Sequence, residues 1–112
     1  MKFSHIGIPT TDVKENENHS SRSKFYCTDY KTSEYGVEFL RFEEGSPMPE
    51  LLQTTAHVAF EVDDIEAAIE GKEILIPIFE PSAMPGTKLA FIVDNGTPVE
   101  FMQIPEGGQG GY

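Results

Sequence analysis

Two histidines and two glutamates recur in matching contexts within this 112-residue chain. His5 opens "HIGIPTTDV" at 5–13, and His57 opens "HVAFEVDDI" at 57–65; each is followed by a β-branched residue and then a small one, and each stretch carries an Asp at the same offset. Glu38 lies in "GVEFL" at 36–40 and Glu100 in "PVEFM" at 98–102. A carboxylate set among apolar neighbours is costly unless a cation or a hydrogen-bond donor compensates it. A divalent ion held by two imidazoles and two carboxylates satisfies all four side chains, and the mixed N/O set suits Zn, Ni, Co, Mn or Fe(II) without selecting among them. No HxH or HExxH spacing sets such a site locally, so the elements that carry the four residues must bring them together.

Those elements read as one module written twice. In a strand, alternation puts His5, Gly7 and Pro9 on one face and His57, Ala59 and Glu61 on the equivalent face, with a small residue leaving space beside each imidazole. Val37, Phe39, Val99 and Phe101 point the other way, so Glu38 and Glu100 project from the side opposite that apolar layer. A pseudo-twofold arrangement of the two copies brings His5, Glu38, His57 and Glu100 together, within one chain or across two. Glu61 is at most a rim or substrate contact, and His19 is a surface residue.

The pattern predicts strands at 3–9, 24–30 and 36–43 in the first copy, the last two forming a hairpin with a long loop. "VKENENHSSRS" at 13–23 lacks helical apolar spacing and reads as a mobile loop. In the second copy a strand at 57–62 precedes a short helix with Asp63 and Glu66 in a capping arrangement and Ile65, Ala68 and Ile69 on one face, stopped at Gly71. Strands at 73–79, 88–93 and 98–104 follow, the last two joined by an Asn-Gly turn in "DNGT". Aligning Lys24 with Lys88 shows that the first copy is shorter between its His and its Lys by about one short helix with its connection. The expected organisation of 1–112 is therefore a single domain. Module one covers about 1–45, a Pro- and Gly-bearing linker about 46–54, module two about 55–105 and a glycine-rich flexible tail 106–112.

A 38% apolar content with 8 Phe and 4 Tyr supplies one core for both modules. The net charge of −11, with only 8 Lys and Arg and no basic run among them, disfavours nucleic acid and anionic membrane surfaces as partners. No signal peptide and no stretch long enough to span a membrane is visible. Cys27 is the only cysteine, which excludes an internal disulfide and is consistent with a cytoplasmic location; no activating partner for it is evident.

With these residues in view, the chain resembles the vicinal oxygen chelate superfamily, which includes glyoxalase I, extradiol dioxygenases, methylmalonyl-CoA epimerase and fosfomycin- and bleomycin-resistance proteins. The resemblance runs over nearly the whole chain and is carried by "HIGIP", "HVAFEVDDIEAAI" and "PVEFMQ". It implies an α+β fold of two βαβββ modules whose mixed sheet curls around a metal cup, the first module here missing its helix. It also implies metal ligands at His5, Glu38, His57 and Glu100, a set similar to that of glyoxalase I. No basic cluster for the carboxylates of glutathione is present.

The expectation that follows is a metal-dependent glyoxalase-like lyase or isomerase. The ion would chelate a small oxygenated substrate and stabilise an enolate, with Glu38 or Glu100 as base. The alternative is a non-catalytic protein that sequesters a small molecule in the same cup; a third reading is a structural dimer whose carboxylates pair with cations at the interface. A homodimer is expected on the first reading as well, since a curved sheet lacking one helix leaves apolar surface to cover.

Overall fold

The structure, a computed structural model, describes residues 1–106. Two antiparallel strands, β1 (Lys2–Pro9) and β5 (His57–Glu61), lie at its centre. β4 (Val37–Phe42) runs parallel to β1 on one side, and β8 (Thr97–Gln103) runs parallel to β5 on the other. Outside β4 come β3 (Phe25–Cys27) and β2 (Asn18–Ser20); outside β8 come β7 (Lys88–Asp94) and β6 (Glu73–Phe79). The result is one mixed eight-stranded sheet, β2-β3-β4-β1-β5-β8-β7-β6, curled into a half-barrel, as the α+β reading required.

The sheet buries apolar side chains on both of its faces. The inner face buries Ala59, Leu89 and Met102 with Met84 in the second half, and Phe25, Cys27 and Leu40 in the first. On the outer face of the second half, Ile65 packs with Ala90, Ile92 and Phe101, with half-buried Ala68 and Ile69 beside it. That helix, α2 (Ile65–Ile69), begins at Asp64, whose carboxylate accepts from the Ala67 N–H. The cap is therefore Asp64 and not Asp63, because Asp64 immediately precedes the first helical residue and reaches the third N–H. Gln103 Oε1 accepts from the Ile65 N–H at 2.8 Å, tying the helix to the end of β8. The Asn95–Gly96 turn has φ of 49° and 76°, the left-handed pair that a tight hairpin of this type requires.

Three readings of the first half need correction. Residues 13–23 are not all loop: Asn18–Ser20 pair with β3 as an edge strand, which carries no apolar alternation because it is held from outside. His19 stacks on Tyr26 with ring centroids 4.3 Å apart and meets Glu43 Oε1 at 2.6 Å, while Arg41 forks onto Glu17 and lies over the same Tyr26 ring. The strand expected over 24–30 stops at Cys27, and Tyr30–Thr32 form a 3-10 turn whose cap, Asp29, accepts from the Lys31 N–H. The linker contains a helix, α1 (Glu50–Thr54), which forms because Leu52 is driven into the interior despite the flanking prolines. Where the second half has α2 on its outer face, the described residues of the first have none, and Lys14 sits 4.4 Å over the Phe39 ring. The tail at 107–112 lies outside the described residues.

Candidate metal centre

Strand register, more than local sequence, assembles the site. Across β1–β5, His5 faces Ala59 and Gly7 faces His57. Across the two parallel pairings, Gly7 faces Glu38 and Ala59 faces Glu100. Each small residue is thus flanked by a histidine of the opposite half of the chain and a glutamate of its own half. The space beside each small residue is consequently not open. A Cβ at position 7 would collide with the His57 ring, lying 2.6 Å from both its nitrogens, so glycine is what lets the imidazole lie flat over β1.

All four side chains come together within one chain. His5 Nε2 stands 3.8 Å from Glu38 Oε1 and 3.4 Å from Glu100 Oε1, and His57 Nε2 stands 3.1 Å from that same Glu100 oxygen. Ligating atoms of His5, Glu38 and His57 all lie within 4.8 Å of one another, so this buried group can hold a metal ion, with Glu100 in contact with both imidazoles. Donors about 2.0–2.2 Å from a shared ion stand about 3.0–3.6 Å apart; the two imidazole contacts to Glu100, at 3.4 and 3.1 Å, fall in that range, and the His5–Glu38 separation of 3.8 Å is slightly longer.

Burial sharpens the argument. The four residues are only 1–3% exposed, and three of their polar atoms, His5 Nε2, Glu38 Oε2 and His57 Nδ1, have no hydrogen-bond partner. Orphaned buried polar atoms are rare and costly, and finding three of them in one cluster of imidazoles and carboxylates fits a site that takes up a cation. Burial, reinforced by the negative Glu100, pushes the Glu38 carboxyl up to about 8. Burial acts on Glu100 in the same direction, but the His5 and His57 imidazoles outweigh it and hold Glu100 down to about 2. Two carboxylates in one site are thus driven apart by their surroundings.

His5 is braced from behind. Ser4 Oγ engages its Nδ1 at 2.9 Å, which turns Nε2 inward, and Tyr30 stacks on the imidazole with centroids 3.9 Å apart at 16°. Burial raises the Tyr30 phenol above its ordinary value. The sequence pattern did not single out Ser4 or Tyr30; the only signal for Tyr30 is an aromatic at the end of a strand-like run. Phe91 meets the His57 ring edge-on at 5.4 Å.

Glu38, His57 and Glu100 floor a cavity of about 700 Å³. Its mouth lies between the segments 18–23 and 80–83, and its walls are largely apolar. Cys27 lines it too, but burial pushes its thiol up to about 12, so it stays protonated and is no nucleophile. Glu61, expected at most at the rim, is absent from the cavity and pairs with Lys2 at 3.4 Å on the surface. His19 is near the surface as expected, although it is held by Tyr26 and Glu43. No helix among the described residues is long and apolar enough to cross a membrane.

No family model and no curated protein matches the chain. Among solved structures, it is similar to the crystal structure of a hypothetical protein, BH1468 from Bacillus halodurans C-125, with a TM-score of 0.71 and 20% identity over 97% of this chain and 98% of that one. The crystal structure of SMU.1112c matches at a TM-score of 0.39 and 20% identity, over 88% of this chain and 96% of that one. At this identity the first likeness establishes the fold alone.

Proposed function

We propose that this chain is a metal-dependent lyase or isomerase of the glyoxalase-like, vicinal oxygen chelate type, acting on a small oxygenated substrate. The observation that carries the reading is the convergence of His5, Glu38, His57 and Glu100 in a buried cluster that contains three polar atoms without a hydrogen-bond partner. The matching registers Gly7↔Glu38 and Ala59↔Glu100 support the reading of the chain as one module used twice. His5 and His57, with Glu38 and Glu100, would hold one divalent ion, drawn from Zn, Ni, Co, Mn and Fe(II). When bound, such an ion supplies Lewis acidity that polarises substrate oxygens.

The residues of the chain divide the remaining work. Glu38, which lines the cavity and whose Oε2 has no hydrogen-bond partner, would take a proton from a substrate carbon and return it. Glu100, with Oε1 committed to both imidazoles, holds negative charge in place. Ser4 and Tyr30 orient His5, and largely apolar walls line the approach to the cluster. The same reading includes a homodimer, for which Phe3 and Ile6 on the outer face of β1 provide exposed apolar surface.

A second reading, a non-catalytic protein that sequesters a small molecule, is favoured by the size and apolarity of the cavity. Elemental analysis of the wild type beside His57→Ala, after dialysis against metal-free buffer, separates the two. About one equivalent of metal in the wild type and little in the variant supports the enzyme; no metal in either, even after reloading, overturns it and leaves the sequestering cup.

A further inference from the structure

The cavity says more about its ligand than the donor cluster does. Its buried polar groups are Glu38, His57 and Glu100; a second, more exposed polar set, the segment 18–23 with Glu80 and Ser82, rims the mouth, and the lining between them brings together Phe42 of β4, Leu52 of α1, Ile76 and Phe79 of β6 and Phe91 of β7. Apolar walls from both halves of the sheet thus face one another across about 700 Å³, a volume in the range that encloses a molecule of drug-like size. Among the described lining residues the sole Lys or Arg is Arg22, which is exposed at the mouth. A chain of net charge −11 with one rim cation has nothing to offer a polyanion.

We infer that the ligand is an amphipathic molecule with a ring-bearing or branched apolar body and one compact oxygen-bearing head, neutral or singly charged, and not a small hydrophilic acid, a nucleotide or a peptide thiol. The head lies at the carboxylate and imidazole floor, and the body fills the space between β4 and β6. The assignment of the head rests on the metal-dependent reading above; the assignment of the body rests on the walls alone. Burying one aromatic ring against such walls is worth at least about tenfold in affinity, after the losses of immobilisation, because each buried CH₂ contributes roughly fourfold.

Three hydroxamates with one head and growing bodies test this: acetohydroxamate, benzohydroxamate and 2-naphthohydroxamate, titrated calorimetrically against zinc-loaded and metal-free protein. The expected result is a dissociation constant that falls about tenfold or more at each step in the loaded protein, with the same order, weaker throughout, in the metal-free one. Ile76→Glu, which places a charge on a half-buried wall of an edge strand, should erase the advantage of 2-naphthohydroxamate and leave acetohydroxamate and zinc content within twofold of the wild type. Similar constants for all three probes, a preference for acetohydroxamate, or no binding of 2-naphthohydroxamate to either form overturns the inference. Failure of zinc loading, by contrast, strikes the metal reading alone, because the order of the probes on metal-free protein still decides the body.

Discussion

Gly7 and His57 face each other across the central strand pair, and the imidazole occupies the place where a Cβ on residue 7 would stand. The neighbour is a ring packed against a sheet, with Glu100 on its Nε2 and Phe91 at its edge, so it cannot swing away freely. Gly7→Ala is expected to displace the ring. Metal affinity should fall by more than about tenfold, and stability by about 1–3 kcal/mol from overpacking. Calorimetric metal titration and thermal denaturation check both; an alanine variant that binds metal like the wild type would show that the ring position does not matter.

Glu100 touches both imidazoles through a single oxygen. Glu100→Gln keeps the shape and removes the charge, so metal content should drop to a small fraction of an equivalent while far-ultraviolet circular dichroism stays native. Unchanged metal content would remove Glu100 from the ligand set.

The pH dependence follows from the split between the carboxylates. Glu38 is raised from 4.5 to about 8, so the metal-free fold binds a proton that the unfolded chain releases, and its contribution to stability is lost as pH rises from about 4.5 through about 8. Glu100 is lowered from 4.5 to about 2, so its contribution is lost as pH falls through that interval. Metal must displace the proton on Glu38, which makes affinity increase with pH up to about 8 and level off above it. Calorimetry at pH 7 in buffers of different ionisation enthalpy should report release of about one proton per metal in the wild type and distinctly less in Glu38→Gln. Equal release in both would assign the proton elsewhere.

Ser4 and Tyr30 act on His5 from the side away from the cavity. Ser4→Ala should weaken metal binding by about tenfold, the size of effect usual for a group that orients a ligand. Tyr30→Phe keeps the stacked ring and should stay within about threefold, whereas Tyr30→Ala should fall well below it. Competition with a chromophoric chelator gives the affinities, and nitrogen-15 shifts of the His5 ring report the tautomer that Ser4 holds. Wild-type affinity and an unaltered tautomer in Ser4→Ala would dismiss the bracing role.

Much of the second half was legible because its signals are local. Period-two apolar runs mark β5 to β8, an Asp before a helical stripe marks α2, and Asn95–Gly96 marks the turn. In the first half the competing forces are non-local. β2 exists because Tyr26 is sandwiched by His19 and Arg41 from neighbouring strands, and α1 because Leu52 has an interior to enter. Neither leaves a periodic trace in its own residues.

The amino-acid sequence by itself determined which side chains form the buried cluster. It repeats His and Glu in strand contexts where alternation sends them to one face, and it places a small residue two positions after each His. Only the tertiary structure decided that the four meet within one chain, that the His57 imidazole lies over Gly7, and that Glu38 and Glu100 are driven to opposite protonation states. The reason is physical. A strand's own residues encode its face, but its partner, its register and the field at its buried carboxylates are set by residues far away in sequence.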